Sequence, residues 1–242
     1  MAALVAWEML SRVGALPTRL FPSFSATLAA VLVEAATPSF WAALLNTLEG
    51  WAIGLALAAA VAVPAGILIG SSRPGYRAVR ALIEFLRPIP SVALIPLAVL
   101  VYGTGFSTKL FLVVFASFWP ILFQAVYGVQ DVDPVAQDTA RAFGFDRLRR
   151  LYLVTLPSAA AYIATGLRIS SAVALILAVT AELVVGAPGI GKSISTAQSG
   201  GDYPLMYGLI MVAGFLGLVL NAAFGRLEAR LLRWHPSQRE AA

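Results

Sequence analysis

Four long stretches without a charged residue constrain this chain more than any other feature of its sequence. They are residues 50–70, 88–108, 110–130 and 203–225. About 20 apolar residues in a helix cross the hydrocarbon core of a bilayer, so each stretch is long enough to span a membrane. The composition agrees, since 60% of the 242 residues are hydrophobic and 12% are charged, whereas roughly 25% of the residues of a soluble domain are charged. The sequence therefore predicts an all-α polytopic membrane protein.

The residue types also exclude several kinds of chemistry. The chain has no cysteine and only one histidine, His235, so it cannot form a disulfide framework, a thiolate nucleophile or a multi-histidine zinc site. A Ser-His-Asp triad within the membrane is also excluded, because His235 lies in the basic tail and not in a predicted span. The net charge of +5 does not by itself indicate nucleic acid. We expect no nucleic-acid partner, because the basic residues follow a membrane topology instead.

The hydrophobic pattern predicts five spans and an incomplete N-terminal segment. Residues 1–40 are expected to form a partial span or an interfacial helix, with a surface helix over residues 25–36. A transmembrane core over residues 41–225 and a basic tail over residues 226–242 follow, giving five to six transmembrane helices in all. Prolines at 88, 90 and 96 predict a kinked or partly broken second span. The five spans are residues 41–70, 80–102, 108–130, 158–185 and 203–225.

The distribution of basic residues predicts how the chain is oriented. Arginines are concentrated in residues 71–80, in residues 131–157 and in the tail after Gly225. The alternate connections carry only Lys109 and Lys192. Since cytoplasmic loops hold the excess of Lys and Arg, we expect the 131–157 loop and the C-terminus to be cytoplasmic.

The 131–157 loop is the longest polar segment between spans. Pro134 is expected near the start of a short helix, and Gly144 is expected to end it. A second, amphipathic helix should carry Leu148 among arginines, and Pro157 should break it before the next span. Such a loop could fit a groove on another protein, or it could rest on anionic lipid. The physical pattern alone leaves both open.

The same loop resembles a family signature, the "EAA" motif of permease subunits of ATP-binding-cassette importers. Asp138-Thr139-Ala140 stands where the signature has Glu-Ala-Ala, and Gly144 follows at the family spacing. Further along, Val154, Leu156 and Pro157 are in register with the rest of the motif. Residues 85–97, 102–105 and 186–191 are similar to one subfamily, whose members serve sulfonates, taurine, nitrate and thiamine-precursor-like solutes.

The resemblance implies a fold, a function and a set of partners. The fold is that of a type I importer permease in the bacterial plasma (inner) membrane. The chain would form the translocation path for a small organic or anionic solute and couple it to a cytoplasmic ATPase. Implied partners are two ATPase subunits, a second permease copy (a homodimer) and an external solute-binding protein. ATP and Mg would bind to the ATPase subunits, so we expect no cofactor and no catalytic residue in this chain. The implied ATPase-coupling residues are Asp138, Thr139, Ala140, Gly144, Arg147, Leu156 and Pro157.

Residues 186–193 match the phosphate-binding pattern G-x-x-x-x-G-K-[ST]. A working phosphate loop follows a strand in a soluble α/β domain, whereas this segment follows a predicted span and is expected on the outer face. We therefore expect a tight turn here and no nucleotide site.

Charged and hydroxyl side chains inside the fourth predicted span are candidates for the translocation path. Ionisable groups at membrane depth usually face the bundle interior or an aqueous path. Arg168 and Glu182 lie near one face of that helix, and both could instead be structural partners. The candidate path residues are Arg168, Ser171, Thr180 and Glu182.

A gradient-driven secondary transporter or channel is the alternative function. Such proteins commonly contain inverted repeats, and no internal repeat is visible in this sequence.

Overall fold

The computed structural model describes residues 2–13, 17, 20–86 and 89–232, and every regular element in those residues is a helix. His235, Pro88 and most of the basic tail lie outside the described residues. The predicted all-α class is confirmed. In chain order the helices are α1 (Ala2–Arg12), α2 (Phe24–Glu34), α3 (Pro38–Gly70), α4 (Arg73–Leu86), α5 (Ile95–Tyr102), α6 (Phe106–Gln130), α7 (Pro134–Ala142), α8 (Arg147–Arg150), α9 (Leu156–Val185), α10 (Ile190–Ser199) and α11 (Tyr203–Leu231).

Four helical runs among the described residues are long and apolar enough to cross a membrane. They are α3, α6, the run Arg147–Val185 that contains α8 and α9, and α11. A fifth crossing exists if the bent pair Pro74–Leu86 and Ser91–Tyr102 counts as one span, which agrees with the expected break near the prolines. Among the described residues the number is therefore four or five, which meets the predicted five to six when the bent pair is one span. α1 and α2 have 11 residues each, too few to cross a bilayer.

The prediction that Pro157 breaks the helix was wrong. A π-helical turn over Leu151–Thr155 joins α8 to α9 without interruption, and the Leu156 N–H donates to the Leu151 carbonyl five residues earlier. Proline lacks an N–H and its ring clashes with the carbonyl four residues before it. A wider π turn changes that local hydrogen-bond pattern, so the helix continues through the proline.

The chain divides into two compact units. The first contains Met1–Trp51, Leu94–Leu112 and Leu175–Leu218. Its apolar core is formed by Phe40, Ile190, Ile194 and Leu209. Within this unit α1 lies against the start of α2, where the Trp7 indole donates to the Pro22 carbonyl at 3.0 Å.

The second unit contains Ala52–Ala93, Val113–Ala174 and Val219–Ala242. Small residues let its helices approach closely, as is common between membrane helices. A Cβ added to Gly66 of α3 would lie 2.9 Å from the Leu122 carbonyl oxygen of α6. One added to Gly128 of α6 would lie 2.8 Å from the Tyr162 Cβ of α9. At these two glycines, therefore, the neighbouring helix lies so close that it leaves no room for a Cβ.

This packing predicts opposite effects for two identical substitutions. Gly66→Ala should lower the melting temperature of the detergent-purified protein, because overpacking costs about 1–3 kcal/mol. Gly214→Ala, in α11, is the matched control: nothing lies within 4 Å of the added Cβ, and alanine favours the helix by roughly 0.5–1 kcal/mol. Equal melting temperatures for the two variants would contradict the close packing of α3 on α6.

Candidate functional site

Residues 134–150, here called the α7–α8 surface, form two short capped helices. The Asp133 carboxylate accepts a hydrogen bond from the Val135 N–H at 2.8 Å. Pro134 then occupies the first helical position, where a missing N–H leaves no bond unmade. Asp146 caps α8 in the same way, accepting from the Arg149 N–H at 2.7 Å. The predicted helix start at Pro134 is confirmed.

Gly144 makes the turn between these helices, as the sequence predicts. Its φ of 75° lies in the left-handed region that glycine adopts without a steric penalty. The Phe145 N–H bonds to the Ala140 carbonyl at 3.0 Å, and the Gly144 N–H bonds to the Arg141 carbonyl at 2.9 Å. This pair of bonds is a Schellman end. The direction of the chain after α7 therefore depends on a glycine at position 144.

Large apolar side chains of the α7–α8 surface are left uncovered. The exposed fractions of Val135, Phe143 and Leu148 are 70%, 77% and 65%. Arg147 and Arg149 beside them are also exposed. Exposed apolar groups rimmed by polar residues mark contacts with proteins or membranes. Either a protein groove or a lipid headgroup layer could cover this surface.

A concavity of about 1160 Å³ opens beside the α7–α8 surface. Its lining is rich in arginine, contributed by residues 77, 141, 147 and 150, with Asp138 as its one acidic residue. Arg141 is paired with Asp138 at 2.8 Å. The Arg150 Nε has no hydrogen-bond partner among the described residues. The concavity is therefore electropositive and suited to an acidic partner surface.

The structure brings most of the predicted coupling residues together. Asp138 and Thr139 are exposed on α7, and Ala140 is buried beneath them. Gly144 and Arg147 follow on the same surface, and Arg147 also lines the concavity. Leu156 and Pro157 lie apart from them, in the first turn of α9.

Arg168 lies well inside α9 and keeps a half-exposed side chain. Its Nε donates to the Asn221 Oδ1 of α11 at 3.1 Å. Its Nη1 lies 3.6 Å from the Glu228 Oε2, and 45% of the Arg168 side chain is exposed. Among the described residues, these contacts occupy only part of the five donors of a guanidinium.

The two hydroxyl candidates differ in their surroundings. Ser171 is buried. The Thr180 hydroxyl donates to the Ile176 carbonyl of its own helix at 2.7 Å, a common arrangement for a threonine in a helix.

Glu182 is fully buried, and its carboxylate accepts hydrogen bonds from three donors. The Lys109 Nζ donates to its Oε1 at 3.1 Å. The Thr47 hydroxyl donates to its Oε2 at 2.9 Å, and the Gly191 N–H donates to the same oxygen at 3.0 Å. The carboxylate is therefore enclosed by protein groups of the first unit.

Lys109 lies at the edge of the predicted span 108–130, and the charge pattern counts it as a residue of an outer connection. The structure corrects the second point, because Lys109 belongs to α6 and its side chain is fully buried. One signal could have found it, since Lys109 is the single charge between two long charge-free stretches and Glu182 lies in another span. Lone opposite charges in membrane helices tend to pair.

The phosphate-loop-like segment forms the expected turn, and α10 begins at Ile190. The Gly191 N–H, which a phosphate would need, is occupied by Glu182. Lys192, the lysine of the pattern, is exposed instead.

Solved structures of similar fold are transporters of the ATP-binding-cassette class. The MetNI methionine ABC transporter in an inward-facing conformation matches with a TM-score of 0.70 and 19% identity, over 81% of this chain and 98% of that chain. An amino acid ABC transporter with histidines matches with a TM-score of 0.67 and 19% identity, over 84% and 97% of the two chains. At such identities these matches establish the fold alone.

Residues 62–233 match the family described as "Binding-protein-dependent transport system inner membrane component". The chain belongs to this family and is a permease subunit of an ATP-binding-cassette importer, located in the inner membrane. A gradient-driven transporter or channel is therefore set aside. Membership also implies ATPase and binding-protein partners.

Curated relatives agree with the subfamily resemblance. The taurine transport system permease protein TauC of Escherichia coli (strain K12) is 35% identical over 76% of this chain and 67% of its own length. The nitrate import permease protein NrtB of Leptolyngbya laminosa is 30% identical over 80% and 69%. The putative aliphatic sulfonates transport permease protein SsuC of Escherichia coli (strain K12) is 28% identical over 96% and 88%.

Proposed function

We propose that this permease conducts a small solute that carries a compact oxyanion group, of the nitrate, taurine or sulfonate class. The relatives named for nitrate, taurine and aliphatic sulfonates support the class. Nitrate and the sulfonate group are compact oxyanions that a planar guanidinium can bind with two parallel hydrogen bonds. Arg168 is half-exposed inside a span and has donors to spare, and this observation carries the proposal.

In this proposal Arg168 contacts the anion, and Ser171 and Thr180 contribute to the wall of the path. A charge exposed to lipid tails is costly, so the free side of Arg168 faces water, solute or a second subunit. Glu182 has no free face, because protein donors enclose its carboxylate. It supports the wall and does not touch the solute.

The α7–α8 surface is proposed to bind the ATPase subunit. Its exposed apolar side chains need a cover, and the neighbouring arginine-lined concavity is suited to acidic groups on the partner. Asp138, Thr139 and Arg147 would contact the partner, and Gly144 would direct the turn. Leu156 and Pro157 would join this surface to the membrane helix through the π turn.

The assembly proposed around this chain follows the importer family. Two permease copies form the path, two ATPase subunits bind ATP and Mg on the cytoplasmic side, and a solute-binding protein docks outside. This chain itself hydrolyses no ATP and holds no cofactor. The 131–157 loop and the C-terminus face the cytoplasm, in keeping with their arginines.

Substitutions of Arg168 test the solute class. Arg168→Met should lower uptake of labelled nitrate, taurine or methanesulfonate by about tenfold or more, because hydrogen bonds to a charged group contribute about 1.5–3 kcal/mol. Arg168→Lys, which keeps the charge, should retain part of the uptake. Uptake is measured in a strain that lacks its own systems for these solutes and expresses the whole importer. Parent-like uptake by Arg168→Met argues against a role of Arg168 in solute binding, and no uptake of any of the three solutes by the parent argues against the proposed solute class.

Substitutions of Gly144 test the coupling surface. Gly144→Val should keep the permease inserted at parent abundance but reduce both transport and co-purification of the ATPase. The cause is conformational, since a β-branched residue at positive φ costs about 1–2 kcal/mol and no atom lies within 4 Å of the added Cβ. Gly144→Asn is the control, because asparagine tolerates the left-handed region. If both variants keep the ATPase bound at the parent level, the α7–α8 surface is not the contact.

Single cysteines in this cysteine-free chain test the orientation. Ala142→Cys and Gln198→Cys are both at exposed positions. A membrane-impermeant maleimide should label position 198 in spheroplasts, and position 142 only after permeabilisation. The reverse pattern would overturn the proposed orientation and, with it, ATPase binding at the α7–α8 surface.

A further inference from the structure

The Lys109–Glu182 ion pair satisfies every polar hydrogen that it buries. Besides Glu182, the Lys109 ammonium donates to the Asn46 carbonyl and to the Pro188 carbonyl, each at 2.9 Å. All three of its N–H groups are therefore used. One side chain of α6 thus holds the backbone of α3, the end of α9 and the turn that follows α9.

Side chains of other helices, Thr47 of α3 and Glu182 of α9, cap the N-terminus of α10. Gly189, at the N-cap position, has no side chain to accept from the first N–H groups of the helix. The Ile190 N–H donates to the Thr47 Oγ1 at 2.9 Å, and the Gly191 N–H donates to Glu182. A negative charge at a helix N-terminus is also favoured by the helix dipole. Side chains of α3 and α9 therefore determine the position at which α10 begins.

Glycines leave the space that this arrangement needs. A Cβ at Gly50 would lie 2.6 Å from the Lys109 Cε. One at Gly189 would overlap the Glu182 carboxylate, and the Gly189 φ of 152° is unfavourable for other residues. The backbone therefore approaches the Lys109 and Glu182 side chains at positions where a Cβ would not fit.

We propose that the Lys109–Glu182 pair fixes the position of the 186–189 turn and of α10 against α3 and α6. We call the pair a positioning lock. Coupled transport requires that the turn and α10 stay in this position. Replacing a buried ion pair by apolar residues is often neutral or stabilising, so stability alone does not account for the pair. Its contribution is directional: the pair makes five hydrogen bonds to named acceptors and donors, and these fix one arrangement, whereas apolar contacts would permit several.

The lock differs from the proposed solute and ATPase contacts. Neither Lys109 nor Glu182 is exposed, so neither side chain touches a solute or a partner protein. They act through the turn and α10. The inference therefore does not depend on the solute class or on the role of the α7–α8 surface, and it needs only the binding-protein-dependent family to which the chain belongs.

The test uses the whole importer in nanodiscs and measures how strongly the solute-binding protein stimulates ATP hydrolysis. Lys109→Met and Glu182→Gln each leave one buried charge unpaired, and both stability and stimulation should fall. The informative variant is the double substitution Lys109→Met with Glu182→Gln, which leaves no unpaired charge and keeps an oxygen for Gly191 and Thr47. Its melting temperature should return towards that of the parent, while its stimulation should stay about tenfold below it, within the usual range of coupling between sites.

A matched control is Lys192→Met, the same substitution at an exposed lysine of α10. It should leave both the melting temperature and the stimulation unchanged. Parent-like stimulation of the double variant would overturn the lock, because removal of both charges would then be harmless. Failure of the double variant to insert would also overturn it, since the pair would then serve folding and not positioning.

Position can be measured without any partner or solute. Spin labels at Lys192→Cys in α10 and Leu45→Cys in α3, diluted with unlabelled protein, report a distance within one chain. The background with both charges intact should give one narrow distance distribution, and the double variant should give a broader or divided one. A distribution that stays equally narrow in the double variant would show that α10 is positioned without the lock.

Discussion

Every backbone N–H and C=O within a bilayer must find its partner inside the protein, and the rest of this structure depends on that constraint. Long helices satisfy it within themselves. Where the helices are interrupted or distorted, other groups of the protein must bond the backbone N–H groups that regular helical hydrogen bonds leave free. At Pro157 the partner is a π-helical bond from the Leu156 N–H to the Leu151 carbonyl. After α9 the free N–H groups of Ile190 and Gly191 bond to Thr47 and Glu182.

Local signals explain how much of the fold the sequence predicts. Absence of charge over about 20 residues marks α3, α6 and α11, because the cost of a charge in hydrocarbon acts residue by residue. Pro134 and Gly144 mark the ends of α7, because their own backbone restrictions decide the conformation. Features of this kind are readable from short windows.

Features that depend on distant partners are not readable in this way. Lys109 looks like a loop residue until Glu182, 73 positions away, is known to lie beside it. Pro157 looks like a helix breaker because the compensating π turn is a property of the whole helical run. The predicted coupling residues fall into two groups for a related reason. Leu156 and Pro157 belong to α9 and the others to the α7–α8 surface, and the spacing of the motif in the sequence does not show this separation.

Three environments give the charged residues three different energetic roles. Arg141, Arg147 and Arg149 of the α7–α8 surface are exposed to solvent. A pair such as Arg141–Asp138 therefore contributes little to stability, and the charges of these arginines remain available to attract a partner. Arg168 is half-covered, and its neighbours Asn221 and Glu228 hold it without using all its donors. Lys109 and Glu182 are enclosed, so their charges act only on each other and on the protein groups around them.

The segment at residues 186–193 shows why a motif needs its surroundings before it implies a function. In a phosphate loop, glycines let backbone N–H groups at a helix N-terminus approach an anion. The same physics operates here, since the Gly191 N–H at the start of α10 binds an anion and Gly189 makes room for it. The anion, however, is the carboxylate of Glu182, and its counter-charge comes from Lys109 and not from Lys192 of the pattern. Because the chain itself supplies the anion, the pattern binds no ligand here, and the hydrogen bond from Gly191 to Glu182 connects α10 to α9.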